Sequence, residues 1–246
     1  MDETDPQPTD FPIALPTSAA AVFFMLLAVL FSPAVATALS SEPTAAPSAA
    51  AITLSLLYFA VFSFVLVVLT LRIARLPFGT AFGLKRTPAL AVLKGLNFGI
   101  ATTPLLMVAS GLLAILANRI GLNLEQQPIF GYLDDGGLPK WAEMLVIFFI
   151  IALAPVYEEL VFRGLAFPAL FAWRKNFWSA AWISGTLFAL VHCNAAAFVP
   201  LTLLGVILCI GYRESKSIVT PIVMHMVFNA ANLTVWLIAH NINPHR

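Results

Sequence analysis

Two adjacent carboxylates, Glu158 and Glu159, follow an uninterrupted apolar run from Met144 to Ala154. Charged side chains are costly inside a membrane segment, and they usually mark functional sites there. Arg163 comes four residues after Glu159, so on a helix these two side chains share a face and can form an ion pair, whereas Glu158 points about 100° away. The spacing therefore predicts one carboxylate held by Arg163 and a second, Glu158, available for chemistry.

Two further apolar stretches carry polar residues at helical spacing. Phe188 and His192 are four residues apart, and so are His225 and Asn229. Within lipid, a histidine or an asparagine must find its partners inside the helix bundle. We therefore expect His192, His225 and Asn229 to face a shared interior with Glu158, and Phe188 to give structural support beside them.

These residue types form a hydrolytic set. Glu158 could act as the general base that removes a proton from water, while the imidazoles position that water or stabilise the developing oxyanion and Asn229 donates a hydrogen bond to it. Alternatively, Glu158, His192 and His225 could bind a divalent metal such as zinc, because two His, one Glu and a water form a known catalytic coordination set. The HExxH spacing is absent. A metal would have to be gathered from three separate helices, and both chemistries stay open.

Composition indicates the class of protein that must position these residues. The chain has 246 residues, of which 60% are hydrophobic and 10% charged, whereas soluble domains have about a quarter charged residues. This is the composition of a polytopic membrane protein, whose environment is the lipid bilayer. The formal net charge of +1 offers no basic stripe for phosphates, which argues against nucleic acid as a partner. Cys193 and Cys209 fit neither a disulfide framework nor a zinc ribbon, and we interpret them as packing residues.

Apolar stretches of spanning length predict an all-α, polytopic transmembrane helix bundle of about seven spans. Residues 1–16 form an acidic, proline-rich tail that we expect to be disordered. The rest is predicted to be one integral domain, with spans 1–3 and an outer loop in residues 17–140 and the catalytic core, spans 4–7, in residues 141–246. The predicted spans cover about 17–39, 49–71 and 93–117, a fourth from Trp141 that Arg174 and Lys175 close, and then 177–193, 195–211 and 218–240.

Basic residues suggest an orientation for the bundle. They cluster in residues 72–94, 174–175 and 213–216, which fall on one side if seven spans alternate. The positive-inside rule places that side in the cytoplasm. The acidic start lacks the basic residues of a secretory signal, so we expect no cleaved signal peptide. We expect a multi-pass protein of a prokaryotic plasma membrane.

Three motifs in this order resemble one known family. Glu158-Glu159-x-x-x-Arg163, Phe188-x-x-x-His192 and His225-x-x-x-Asn229 each fall in a hydrophobic span. Together they resemble the CAAX protease and bacteriocin-processing family, whose members include type II CAAX prenyl endopeptidases. The resemblance covers residues 141–240. It implies an intramembrane endopeptidase built as an all-helical bundle.

The resemblance also implies a role for each matching residue. Glu158 corresponds to the water-activating carboxylate, and Glu159 and Arg163 to the pair that fixes the helix. The residues implied to orient water and stabilise the tetrahedral oxyanion are His192, His225 and Asn229. The family is usually labelled a metalloprotease, and the sequence does not decide whether a metal takes part.

The function we predict is hydrolysis of a peptide bond in a membrane-anchored or hydrophobic polypeptide, prenylated or not. The competing hypotheses are a proton-relay transporter and a non-catalytic immunity or interaction protein on the same scaffold. A transporter should carry polar residues through its amino-terminal spans as well. Here those spans are almost purely apolar apart from Lys94, Asn97 and a few Thr and Ser, which favours an enzyme.

Overall fold

The computed structural model describes residues 20, 23, 27, 49–84, 88–122, 133 and 138–242. Every regular element in these ranges is helical, which confirms the predicted all-α class. The predicted tail, most of the first predicted span and most of the predicted outer loop lie outside the described residues. The helices that we number in chain order are α1 (Ala49–Ala74), α2 (Phe78–Ala81), α3 (Pro88–Arg119), α4 (Lys140–Arg174), α5 (Phe177–Leu190), α6 (Ala195–Ser215) and α7 (Val219–Ile242).

Five of these helices, α1, α3, α4, α6 and α7, are long and apolar enough to cross a membrane. Large apolar side chains on their outer faces are exposed, among them Leu54, Leu105 and Met144. Such surfaces suit lipid, because hydrocarbon chains replace the water that would make them unfavourable. The protein is therefore an integral, multi-pass membrane protein, as predicted.

The fifth predicted span is shorter than expected. The prediction extended it to residue 193, whereas α5 ends at Leu190 and residues 191–193 form a turn in which Cys193 has φ 48°. Asn194 then caps the next helix, since its side-chain oxygen accepts a hydrogen bond from the Ala197 N–H at 2.8 Å. This hydrogen bond starts a new helix at Asn194, so α5 does not continue through that residue. At 14 residues, α5 rises about 21 Å, which is less than the thickness of the hydrocarbon layer.

Two π-helical segments, which the sequence analysis did not predict, interrupt α4. They cover Phe149–Leu153 and Phe162–Ala166, and α-helix between them, Ala154–Val161, carries the acidic pair. Each π turn holds one more residue than an α turn, so it changes the direction in which later side chains point. The acidic pair thus lies on a short helical segment whose rotation is set at both ends.

Glycines bring α3 and α7 into close contact. A Cβ atom added to Gly95 would lie 2.6 Å from Val223 Cβ, and one added to Gly99 would lie 3.0 Å from Val227 Cβ. The spacing of these glycines, with three residues between them, is a common packing motif in membranes. Thr220 Oγ1 also donates a hydrogen bond to the α3 backbone. These contacts fix the position of α7.

Helices α5 and α6 cross at a second pair of glycines. A Cβ atom on Gly205 would lie 2.5 Å from Gly185 Cα and 3.2 Å from Arg163 Nη2. The crossing therefore lies directly against the guanidinium group on α4. Aromatic rings fill the core towards one end of the bundle, where Phe167 contacts both Phe177 and Tyr212.

Candidate active site

The Glu159–Arg163 ion pair lies at the centre of the site. Arg163 Nη1 donates to Glu159 Oε1 at 2.9 Å, and both side chains are completely buried. The centre of the guanidinium group, Cζ, lies 4.6 Å from the centroid of the Phe188 ring. A cation over an aromatic face is stabilised by the ring quadrupole. The predicted i, i+4 pair thus forms, and it links α4 to α5 through Phe188.

His225 on α7 connects the two carboxylates of α4. Its Nδ1 atom lies 2.9 Å from Glu159 Oε1, and its side chain is almost completely buried. An ionised carboxylate can accept but not donate, so Nδ1 carries the shared hydrogen. The other ring nitrogen, Nε2, lies 3.8 Å from Glu158 Oε2. In a neutral imidazole, this bond to Glu159 selects the tautomer whose Nε2 is an acceptor facing Glu158.

Glu158 is the more accessible carboxylate. Its side chain is 15% exposed, whereas that of Glu159 is fully buried. The separation of 3.8 Å from His225 Nε2 is longer than a direct hydrogen bond. Two atoms at this separation can both form a hydrogen bond to one water molecule about 2.8 Å from each. The pair can thus hold a water by two hydrogen bonds.

Asn229 lies one turn after His225 on α7, as the sequence predicted. Its Nδ2 atom donates a hydrogen bond to the backbone oxygen of Ile150 at 2.8 Å. Ile150 belongs to the first π segment of α4. Asn229 therefore contacts the same helix as His225, on the amino-terminal side of the acidic pair.

His192 lies in the turn that follows α5 and not within the helix. Its Nδ1 atom is 2.7 Å from the Phe188 backbone oxygen, so it carries a hydrogen, because a carbonyl oxygen can only accept. The Phe188 ring is completely buried and its centroid lies 4.8 Å from that of His192 and 5.6 Å from that of His225. Phe188 thus packs against both imidazoles and Arg163.

The described residues do not gather a metal-binding set. Among them, no group of three or more His, Cys, Asp or Glu is arranged to hold an ion. The predicted ligands Glu158, His192 and His225 are therefore not brought together around a common point, and Nδ1 of His225 already binds Glu159. The residues do not fit a metal in this arrangement, and the use of one stays a prediction.

Three features of the site were not found from the sequence. The bond between His225 and Glu159 joins residues far apart in the chain, so no local pattern signals it. The Ile150–Asn229 contact has one signal in the sequence, Pro155. A proline inside an apolar helix has no N–H and so leaves a backbone oxygen that needs another donor. The glycine spacing of α3 was visible in the sequence and points to close helix packing.

Comparisons with known proteins agree with the resemblance stated above. Residues 140–231 match the family described as "Type II CAAX prenyl endopeptidase Rce1-like", so the resemblance is confirmed for that segment. A stretch of 91 residues, 35% of this chain and 36% of the relative, is 36% identical to "Membrane-embedded CAAX protease MroQ" of Staphylococcus aureus strain USA300. A stretch of 86 residues, 35% of this chain and 34% of the relative, is 31% identical to "Putative membrane peptidase YdiL" of Bacillus subtilis strain 168.

The family match covers the part of the chain that carries the three motifs. The chain spans about a third of the length of the curated relatives it matches. No solved structure matches it.

Proposed function

We propose that this protein is an intramembrane endopeptidase in which Glu158 activates the attacking water. The observation that carries the proposal is the position of His225, whose Nδ1 is bound to Glu159 while its Nε2 faces Glu158. A buried carboxylate that fixes the tautomer of a histidine beside a second, accessible carboxylate is an arrangement suited to proton transfer. The match of residues 140–231 to a peptidase family supports peptide hydrolysis as the reaction.

The side chains divide the reaction between them. Glu158 accepts one proton from water, and the lone pair on His225 Nε2 accepts a hydrogen bond from the other hydrogen, so an oxygen lone pair is directed at the substrate carbonyl carbon. The C–O bond forms as the carbonyl π electrons move to oxygen. Glu158 then returns the proton to the leaving nitrogen as the C–N bond breaks.

The oxyanion needs hydrogen-bond donors in a site from which bulk water is excluded. Asn229 has a second N–H besides the one bound to Ile150. His192 becomes a donor at Nε2 when that atom is protonated. The resemblance implies both residues in this role, and we propose that they act on the oxyanion from α7 and from the turn after α5.

We propose a membrane-anchored or hydrophobic polypeptide as the substrate. The acidic pair and His225 lie on two helices that are long and apolar enough to span a bilayer, so a substrate that reaches them must itself tolerate lipid. One relative is named a CAAX protease. This name makes peptides with a prenylated carboxyl end the first substrates to test. We propose a bacterial plasma membrane as the location, since both named relatives are bacterial.

The decisive experiment compares wild type with Glu158→Gln in liposomes. The assay measures cleavage of a peptide panel containing prenylated, acylated and unmodified hydrophobic sequences. We expect a loss of at least about a hundredfold in kcat, the usual contribution of a positioned general base. Glu143→Gln, at an exposed ion pair earlier in α4, is the matched control and should keep full activity.

Retained turnover in Glu158→Gln, with an unchanged melting temperature, would contradict the proposal. Absence of cleavage by the wild type across the panel would favour the non-catalytic immunity or interaction protein, and proton flux through the liposomes would favour the transporter. The same assay after chelation tests the predicted metal, because an enzyme that uses side chains alone keeps its rate.

A further inference from the structure

The backbone oxygen of Ile150 loses its usual partner within α4. In an α-helix it would accept from the N–H of residue 154, but Ala154 donates to Phe149 in the π segment. In π spacing its donor would be residue 155, which is a proline and has no N–H. The combination of a π turn and Pro155 therefore leaves this carbonyl without a helical donor.

Asn229 supplies the missing donor from the neighbouring helix. Its Nδ2–H group reaches the Ile150 oxygen at 2.8 Å. An unpaired carbonyl in an apolar environment is unfavourable, because no water replaces the lost bond. The side-chain amide of Asn229 thus donates the hydrogen bond that the backbone N–H of residue 155 would donate in π spacing if that residue were not proline.

We infer that Asn229 and Pro155 together hold the first π segment of α4 open, and that Asn229 is in this sense a positioning residue for Glu158. If residue 155 had an N–H and Asn229 were absent, a regular α-helix could form through this segment. Conversion of the π turn to a regular α turn would rotate Glu158 by about 100° relative to the start of α4. Glu158 would then no longer face His225.

Two polar residues of α7 therefore hold α4 at two points. His225 binds Glu159 on the segment that carries the acidic pair, and Asn229 binds Ile150 before Pro155. The His225 contact fixes the carboxylate of Glu159. The Asn229 contact fixes the rotation of the helical segment that carries both glutamates. The role in positioning Glu158 depends on the proposed function, whereas the Ile150–Asn229–Pro155 relationship does not.

A double-variant cycle tests that relationship through stability alone. Asn229→Leu leaves the Ile150 oxygen without a donor, and we expect the melting temperature in detergent to fall by roughly 3 to 9 °C. In the Pro155→Ala background a backbone N–H becomes available, so the same Asn229→Leu change should shift the melting temperature by less than about 2 °C. Equal shifts in both backgrounds would overturn the inference.

Asn232→Leu is the matched control. Asn232 lies on the same helix and donates at 2.9 Å to Phe228 in its own backbone. Its effect should therefore be the same in the wild-type and Pro155→Ala backgrounds. A Pro155-dependent effect at Asn232 would show that the coupling is not specific to Asn229.

A spectroscopic readout isolates the Ile150 carbonyl. Residues 150 and 151 are adjacent isoleucines, and this is the sole Ile-Ile peptide bond in the chain. Protein grown on isoleucine labelled with carbonyl ¹³C and amide ¹⁵N therefore gives one directly bonded ¹³C–¹⁵N pair in solid-state NMR. We expect Asn229→Leu to shift this carbonyl signal and Asn232→Leu to leave it in place. An unmoved signal in Asn229→Leu would refute the hydrogen bond.

The catalytic consequence is measured separately. In Asn229→Leu we expect a lower kcat with little change in KM, because Glu158 moves and the N–H proposed to reach the oxyanion is also lost. Asn229→Leu and the Asn229→Leu, Pro155→Ala protein both lack the Asn229 N–H, so comparing them reports on Glu158 alone: the second should recover stability but not kcat relative to the first, because the regular helix misdirects Glu158. Restored kcat in that protein would refute the positioning role. If no variant or wild type cleaves peptides, the proposed function fails, and the stability cycle and NMR shift still decide the inference.

Discussion

Removal of the charge on Arg163 should destabilise the protein far more than removal of a comparable charge at its surface. Arg163→Met keeps much of the side-chain volume against Phe188 but leaves the carboxylate of Glu159 buried without its cation. Breaking a fully buried pair in this way costs about 3–5 kcal/mol. For a chain of this size, 1 kcal/mol corresponds to about 2–4 °C, so we expect the melting temperature to fall by roughly 6 to 20 °C.

The chain offers a control with the same ion-pair distance and a different exposure. Lys140 Nζ lies 2.8 Å from Glu143 Oε2, close to the 2.9 Å of Arg163 and Glu159, but its side chain is 89% exposed. Such pairs contribute about 1 kcal/mol at most. Lys140→Met should therefore lower the melting temperature by no more than about 4 °C.

The assay is thermal unfolding in detergent, monitored by circular dichroism and by loss of the folded species on size exclusion. A third protein, Arg163→Met with Glu159→Gln, removes both charges and should recover part of the loss, because no unpaired ion stays buried. If Arg163→Met and Lys140→Met had similar effects, or if the third protein were less stable than Arg163→Met, the reasoning from burial would be wrong.

Two predictions concern the contact between α3 and α7. Gly95→Ala places a Cβ atom 2.6 Å from Val223 Cβ, so it should lower both melting temperature and kcat, whereas Gly111→Ala, with no atom within 4 Å, should change neither. Thr220→Val removes the buried 2.9 Å hydrogen bond to the Ala91 oxygen and should cost about 1–3 kcal/mol, measured by unfolding. Unchanged melting temperatures in Gly95→Ala and Thr220→Val would show that α7 is held elsewhere.

The local parts of the site could be predicted from the sequence. Glu159 and Arg163 pair because helical spacing places them on one face, and His225 and Asn229 share a face of α7 for the same reason. The predicted spans 49–71 and 93–117 lie within α1 and α3, whose apolar lengths were clear in the sequence. Periodicity and length determine these features.

The parts that the sequence did not predict depend on contacts between helices or on small changes in helical register. His192 lies beyond α5 because Asn194 starts the next helix, and hydropathy does not show a break in an apolar stretch. The π segments of α4 change the direction in which Glu158 points. They leave no visible change in the hydrophobic periodicity of the sequence. Glu159 holds His225 as well as Arg163, a contact that requires the packing of α7 against α4.

The shortness of α5 has a consequence for the supply of water to hydrolysis. A perpendicular helix that starts at one face of a 30 Å hydrocarbon slab and rises about 21 Å ends roughly 9 Å short of the other face. Backbone outside a helix is tolerated at that depth only against protein or water, and the turn at residues 191–193 is partly open, with Cys193 exposed. We therefore expect the membrane to thin or to admit water beside His192, which would let the reactant arrive from bulk solvent without a pore across the bilayer.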